Sequence, residues 1–148
     1  MTTDAGTTGG EAEIRALIEE RVRAIGAKDV EALLSHQAPE VVSFDALDPL
    51  RYVGSAQVRR RAEEWLSWYQ GPVGYEVRDL AVTAGETVAF CHYLYRVTGT
   101  MTNGTRVDMW VRATVCFRKD GGRWTITHEH TSVPFDAESG RASVGLEP

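Results

Sequence analysis

Trp124-Thr-Ile-Thr-His-Glu-His-Thr-Ser-Val-Pro-Phe135 is the stretch that decides the fold, because apolar and polar residues alternate along it. A β-strand turns successive side chains to opposite faces of its sheet. One face then carries Trp124, Ile126, His128, His130 and Ser132. Two of the four histidines of the chain share that face with apolar residues. They either line a polar pocket or are hydrogen-bonded histidines of the core.

Three further strands are predicted before this one, and turn sequences join them into hairpins. The pattern places them at 75–83, 88–99 and 106–119, with the final strand at 123–134. Asn103-Gly104 and Asp120-Gly121-Gly122 separate the last three strands, and both are strong hairpin signals.

Counting outward from two-residue turns at Asn103-Gly104 and Asp120-Gly121 assigns the faces of these strands. The predicted inner face, under the helices, holds Phe90, His92, Leu94, Val111, Ala113, Val115, Phe117, Trp124, Ile126, His128 and His130. The predicted outer face holds Cys91, Tyr93, Tyr95, Val97, Trp110, Arg112, Thr114, Cys116, Thr127 and Glu129. Because the second set is rich in aromatic residues, we expect a homodimer through it, with an Arg112–Glu129 ion pair. The two cysteines are expected to remain thiols.

The segment before the strands has helical periodicity. From Glu11 to Gly26 one apolar stripe is formed by Ile14, Leu17, Ile18, Val22 and Ile25. A second short helix follows Asp29, a short strand covers 41–45, and a third helix begins near Ser55. These elements predict one α+β domain over residues 11–136, with helices on one face of a curved antiparallel sheet. Residues 1–10 and 137–148 are predicted to be a disordered and a flexible tail.

Composition excludes several classes of function. The chain has 148 residues and a net charge of −5, and no basic stripe could neutralise phosphates, so we expect no nucleic-acid partner. No apolar run approaches the length of a membrane span. The start of the sequence lacks the pattern of a secretory signal, which predicts a cytoplasmic protein without a membrane partner.

Four segments carry a resemblance to a known family: Phe44-Asp45, Tyr52-Val53-Gly54, Asp120-Gly121-Gly122-Arg123-Trp124 and Ile126-Thr127-His128-Glu129-His130-Thr131-Ser132. Together they resemble the SnoaL-like, ketosteroid isomerase-like branch of the NTF2-like superfamily, over about residues 11 to 135. The resemblance implies a cone in which three N-terminal helices pack on a curved antiparallel sheet. That superfamily includes isomerases, polyketide cyclases, dehydratases and non-catalytic assembly domains.

The resemblance to ketosteroid isomerase suggests a catalytic base. Asp45 stands nine residues before Gly54 and resembles the aspartate that serves as base in that enzyme, and Asp48-Pro49 is a rival match. The enzyme also has an oxyanion hole formed by a tyrosine on helix one and a protonated acid on the third strand. This chain has no tyrosine on helix one, and Ala113 stands at the position most similar to that of the acid. His92, His128 or His130 would supply hydrogen bonds instead.

These residues lead to a functional hypothesis with one alternative. The first is a cofactor-free isomerase or cyclase acting by general acid/base chemistry on a small, hydrophobic, carbonyl-containing ring compound. Its predicted catalytic residues are Asp45, His128 and His130, and its predicted ligand-binding residues are Tyr52, Trp65, Tyr69, His92 and Arg96. The alternative is a non-catalytic ligand-binding or dimeric assembly module.

Several of these residues also have another interpretation. The aromatic residues of helix three, Trp65 and Tyr69, can be ordinary core packing. The histidines with Asp45 can ligate a metal, although we expect no metal and no cofactor. Arg59-Arg60-Arg61 is predicted to be the solvated side of helix three.

Overall fold

The fold was described from a computed structural model, which covers residues 5–148, with the backbone alone for 5–8. The described helices are α1 (Ala5–Gly26), α2 (Val30–Leu33) and α3 (Ser55–Ser67). The strands are β1 (Gln37–Phe44), β2 (Tyr52–Val53), β3 (Tyr69–Ala84), β4 (Val88–Met101), β5 (Arg106–Asp120) and β6 (Arg123–Ser132). The α+β class is confirmed, with the helices on one side of a single six-stranded sheet.

Helix α1 packs its predicted stripe against the sheet: Ile14, Leu17, Ile18 and Ile25 are all buried. The helix begins at Ala5, ahead of the start that the apolar periodicity gave at Glu11. Residues 1–4, the beginning of the predicted tail, lie outside the described residues.

The strand order is β2-β1-β6-β5-β4-β3. Strand β1 runs parallel to β6, and every other neighbouring pair is antiparallel. The sheet is therefore mixed rather than wholly antiparallel, because β1 enters it beside the last strand of the chain and not through a hairpin with it.

The β4–β5 hairpin has a longer loop than predicted. Met101 and Thr105 face each other through a hydrogen bond of 2.8 Å, from Met101 N to Thr105 O, so the loop has three residues. Gly104 has φ +87° and takes the left-handed position that such loops require. The additional loop residue moves the register by one, which turns the strand over.

The predicted faces of β4 are therefore wrong. Cys91, Tyr93 and Val97 point into the core, with Cys91 fully buried. Phe90 and His92 are exposed on the other side of the sheet. Tyr93 and Tyr95, two of the three aromatic residues assigned to the outer face, are in fact on the inner wall of the domain.

Strand β6 changes its alternation at a β-bulge. Phe117 pairs with Ile126, but Cys116 pairs with His128, so Thr127 is an extra residue. Before the bulge, Trp124 and Ile126 are buried as predicted. After the bulge the predicted faces are wrong: Glu129 lies on the inner face, opposite Val115, and His128 and His130 lie on the outer face.

Strand β5 matches its predicted faces. Its buried residues are Val111, Ala113, Val115 and Phe117, and Val115 is fully buried. Trp110, Arg112 and Cys116 alternate with them on the outer face, where Arg112 donates to Ser132 Oγ rather than to Glu129. The prediction of two thiols is confirmed, but Cys91 and Cys116 lie on opposite faces.

The segment after β6 folds back on itself. Phe135 forms an isolated bridge with Ala142, and Ser143 N donates to Pro134 O. Flexibility of residues 137–148 stays a prediction. Among the described residues, no helix combines the length and apolar character that crossing a bilayer requires.

Candidate functional site

A cavity of about 720 Å³ lies between the helices and the inner face of the sheet. This volume is within the range of small-molecule sites. Its walls come from Ile25 of α1, Leu33 of α2, Ala62 and Trp65 of α3, Trp68 directly after α3, and Tyr75, Tyr95, Val97, Met109 and Val111 of the sheet. Leu47, Pro49 and Val144 are exposed residues of the lining, and they belong to the loop after β1 and to the C-terminal segment.

One ion pair lies on the sheet side of this cavity. Arg21 Nη2 donates to both carboxylate oxygens of Glu129, at 2.9 and 3.2 Å. The two side chains are only 11% and 17% exposed. Burial opposes the charge of Arg21, but Glu129 outweighs it, so the pKa of Arg21 is raised above its ordinary value.

Tyrosines surround this pair on the sheet. Desolvation raises the pKa of Tyr93 to about 12, and it raises the pKa values of Tyr75 and Tyr95 well above their usual range. Tyr75 and Tyr95 stack with ring centroids 4.4 Å apart. The phenols therefore stay neutral at physiological pH, and two of them, Tyr75 and Tyr95, line the cavity.

A second ion pair joins the loop after β1 to helix α3. Arg61 Nε donates to Asp45 Oδ2 at 3.2 Å, and Leu47 N donates to Asp45 Oδ1 at 3.2 Å. Asp45 is 28% exposed at the side chain, whereas Arg61 is 9% exposed. The carboxylate is thus held on both oxygens at the wall of the cavity.

Aromatic rings hold the other end of this pair. The guanidinium carbon of Arg61 lies 4.9 Å from the ring centroid of Trp68 and 6.0 Å from that of Tyr52. Such contacts stabilise a cation and fix the plane of the guanidinium. Arg61 is consequently not on a solvated side of helix three, as its Arg-rich surroundings had indicated.

Half of the predicted site residues line the cavity. Asp45, Tyr52, Trp65 and Tyr69 do so, and the rings of Trp65 and Tyr69 meet edge to face at 5.6 Å. Their functional roles stay predictions.

The other four predicted site residues, His92, Arg96, His128 and His130, are not part of this lining. The predicted position of the three histidines on the inner face is wrong. His92, His128 and His130 lie on the outer face, because of the hairpin loop and the bulge. His128 Nδ1 donates to Val42 O at 2.7 Å, and Phe44 meets the ring of His128 at 4.8 Å. Arg96 forms an ion pair with Asp108 at 2.8 Å.

Four charged residues of the cavity lining were not recognised from the sequence: Arg21, Arg61, Glu64 and Glu129. The signal for Arg21 is its spacing, since it follows Ile18 by three residues and precedes Ile25 by four. Arg61 likewise follows Val58 by three residues and precedes Trp65 by four. Glu129 gave no such signal, because strict alternation assigned it to the opposite face from the one it occupies.

The described part of the chain contains no group of three or more His, Cys, Asp or Glu side chains placed to hold a metal ion. Desolvation raises the pKa of the buried Cys91 thiol to about 12, which disfavours the thiolate that nucleophilic or metal-binding cysteines need. The chemistry available in the cavity is therefore that of four carboxylates, two guanidinium groups and neutral phenols, and the carboxylates of Asp48 and Glu64 belong to exposed residues.

Comparison with known proteins agrees with this architecture. The sequence profile of the SnoaL-like domain matches residues 14–136. No curated protein sequence matches the chain. A crystal structure of an NTF2-like protein of unknown function from Pseudomonas putida KT2440 is 33% identical, covers 96% of this chain and 99% of its own, and superposes with a TM-score of 0.88.

Two more distant structures share the fold. An NTF2-like superfamily protein from Salmonella enterica serovar Typhimurium LT2 is 16% identical, with 90% of this chain and 96% of that one covered and a TM-score of 0.78. A ketosteroid isomerase-like protein from Erwinia carotovora atroseptica SCRI1043 is 18% identical, with 82% and 94% covered and a TM-score of 0.70.

Proposed function

The chain belongs to the SnoaL-like domain family, and from this premise we propose that it is a cofactor-free isomerase or cyclase acting on a small carbonyl-containing ring compound. The observation that supports the proposal is Asp45, a carboxylate at the wall of an aromatic cavity that the solvent only partly reaches. In this proposal Asp45 removes a proton from the carbon next to the carbonyl and later returns it to another position.

The cavity matches such a substrate in size and in chemistry. A volume of about 720 Å³ accommodates a molecule of two or three fused rings with room for water. Trp65, Trp68 and Tyr69 provide flat apolar surface, and Tyr75 and Tyr95 provide phenols that remain hydrogen-bond donors. Neither proton transfer nor ring binding by these groups requires a redox cofactor.

The proposal is tested by hydrogen exchange on cyclic ketones in D₂O, followed by mass spectrometry. Wild-type protein is expected to accelerate exchange at the carbon next to the carbonyl for at least one ketone. Asp45→Asn should lower that rate by about 100-fold or more, the usual range for loss of a general base. Asp108→Asn is the matched control, since Asp108 also pairs with an arginine but lies outside the cavity lining. An unchanged rate in Asp45→Asn contradicts the proposal.

A second candidate is a ligand-binding module without chemistry. It is favoured by the fact that the carboxylate oxygens of Asp45 and Glu129, the least exposed carboxylates of the lining, already accept hydrogen bonds from the protein, which occupies the atoms that a base would use. Binding of ring ketones by the wild-type protein with no exchange above background would select this candidate over the enzyme.

We further propose that the protein is a homodimer that packs through the outer face of the sheet. Phe90 is 46% exposed there, and Trp110, Arg112, His92 and His130 lie on the same face. Aromatic residues and arginine with few lysines are typical of protein interfaces.

A further inference from the structure

Arg61, with 8% of its surface exposed, is the most buried charged residue in the described part of the chain. A buried charge is normally compensated by partners on all its hydrogen-bonding groups. Arg61 has such a partner on Nε alone, where it donates to Asp45. Among residues 9–148, whose side chains the structure describes, no protein acceptor is found for its two amino groups, Nη1 and Nη2. Neither belongs to the fully buried polar atoms without a partner, so both reach open space.

Aromatic rings flank the guanidinium group of Arg61 at the cavity. Its central carbon lies over the rings of Trp68 and Tyr52, 4.9 and 6.0 Å from their centroids, and neither ring takes up its N–H groups in a conventional hydrogen bond. Arg61 is itself part of the cavity lining, next to Trp65 and Ala62 of the same helix. The other arginine of the lining, Arg21, donates through Nη2 to both oxygens of Glu129. Its Nε and Nη1 have no partner among the described residues, but both are fully buried and are therefore closed to a ligand in the cavity.

We propose that Arg61 binds the carbonyl oxygen of the ligand through its amino groups and stabilises the negative charge that develops there. This inference rests on the proposed function, because it takes the cavity as the ligand site. It goes beyond that function by naming Arg61 as the residue that selects ring compounds with an oxygen acceptor. A guanidinium donates two parallel hydrogen bonds, and a charged donor in a water-poor site stabilises an oxyanion strongly.

The arrangement also fits a proton transfer in its geometry. Asp45 Oδ2 lies 3.2 Å from Arg61 Nε, so base and oxyanion donor are adjacent. In a ketone the acidic carbon is bonded to the carbonyl carbon. A ketone whose oxygen accepts from the amino groups of Arg61 therefore brings its acidic hydrogens close to the carboxylate of Asp45. The proton moves to Asp45, the electron pair of the broken C–H bond forms a double bond to the carbonyl carbon, and the π electron pair of the carbonyl group moves onto the oxygen held by Arg61.

The test compares two fluorescent ring compounds of similar size, one with a carbonyl oxygen and one without it. The ketone is 6-propionyl-2-(dimethylamino)naphthalene, and the other is N-phenyl-1-naphthylamine. The dissociation constants are measured for the wild type, Arg61→Met, Arg61→Lys and the control Arg60→Met, which removes the exposed arginine next to it. Circular dichroism and thermal unfolding establish that each variant is folded.

We expect Arg61→Met to weaken binding of the ketone about tenfold or more, the effect of one charge-assisted hydrogen bond, with less than threefold change for N-phenyl-1-naphthylamine. Emission of the bound ketone should move to shorter wavelength, because its carbonyl loses a hydrogen bond. Arg61→Lys should lie between wild type and Arg61→Met, and Arg60→Met should match the wild type.

Equal losses for both compounds in Arg61→Met and Arg61→Lys would show a purely structural role and overturn the proposal. If folded Arg61→Met or folded Arg61→Lys bound the ketone with the affinity of the wild type, the proposal would be overturned as well. If the wild type bound neither compound, the cavity would not be a site for ring ligands, and this inference would fall with it. Because all readouts are of binding, absence of proton exchange would refute the proposed enzyme, and with it the stabilisation of a developing charge, without refuting that Arg61 binds the carbonyl oxygen.

Discussion

Two arginines occupy equivalent places on the apolar stripes of their helices, Arg21 on α1 and Arg61 on α3. Each is buried beside a carboxylate from another part of the chain, Glu129 and Asp45 respectively. A long arginine side chain covers apolar surface with its methylene groups and brings a charge into the interior only when a partner is present. The least exposed charges of the cavity therefore form two ion pairs.

Loss of one partner should leave the other charge uncompensated. Glu129→Gln leaves the buried guanidinium of Arg21 without its anion, so we expect the free energy of unfolding to fall by about 3 kcal/mol. Urea denaturation measures this. Glu40→Gln is the matched control, because the Glu40–Arg118 pair is exposed and should contribute little. Similar stability of both variants would contradict the importance of burial at Glu129.

The buried phenol of Tyr93 predicts a loss of stability at alkaline pH. Its pKa is raised from 10 to about 12 by desolvation, so the native state keeps a proton that the unfolded state has already lost. This contribution is fully present below pH 10 and decreases as pH rises toward 12. Tyr93→Phe should make the decrease of unfolding free energy between pH 10 and 12 shallower, by about 2 kcal/mol in total. An identical slope in urea titrations of both proteins would refute the assignment.

At the scale of the elements, loop length and one bulge decide which residues face the cavity. The three-residue loop between β4 and β5 inverts β4, and the extra residue Thr127 inverts the end of β6. Both effects bring residues such as Tyr95 and Glu129 to the inner face and move His92 and His128 out. The composition of the cavity thus depends on two single-residue irregularities.

Close contact between β3 and β4 leaves no space at Gly99. A Cβ there would lie 2.7 Å from the Tyr69 ring, and Tyr69 is a buried residue of the cavity wall. We expect Gly99→Ala to lower the free energy of unfolding by about 1 to 3 kcal/mol through overpacking. Gly26→Ala, at the end of α1, is the control, since no atom lies within 4 Å of its added Cβ. Chemical denaturation of both variants distinguishes a steric effect from a general effect of replacing glycine.

At the scale of the whole molecule, helices cover one face of the sheet, and the other face displays aromatic and histidine side chains without a covering element among the described residues. Phe90 is its most exposed aromatic residue, at 46%. If this face is the proposed dimer interface, multi-angle light scattering should give twice the monomer mass. Phe90→Arg should give the monomer, because an unpaired charge in an apolar interface is costly. Leu146→Arg, an exposed apolar residue of the C-terminal segment, should leave the dimer intact. A monomeric wild type would refute the interface.

Periodicity within single elements was enough to predict the α+β class, the buried stripe of α1, the faces of β5 and the type of every helix and strand except the two-residue strand β2. The sequence also placed Asp45, Tyr52, Trp65 and Tyr69 at the cavity, through helical spacing and a family resemblance. Only the tertiary structure decided the faces of β4 and of the end of β6, and with them the exclusion of the histidines from the cavity. The physical reason is that the side-chain period of a strand is two residues, so one additional residue in a loop or bulge reverses every assignment beyond it.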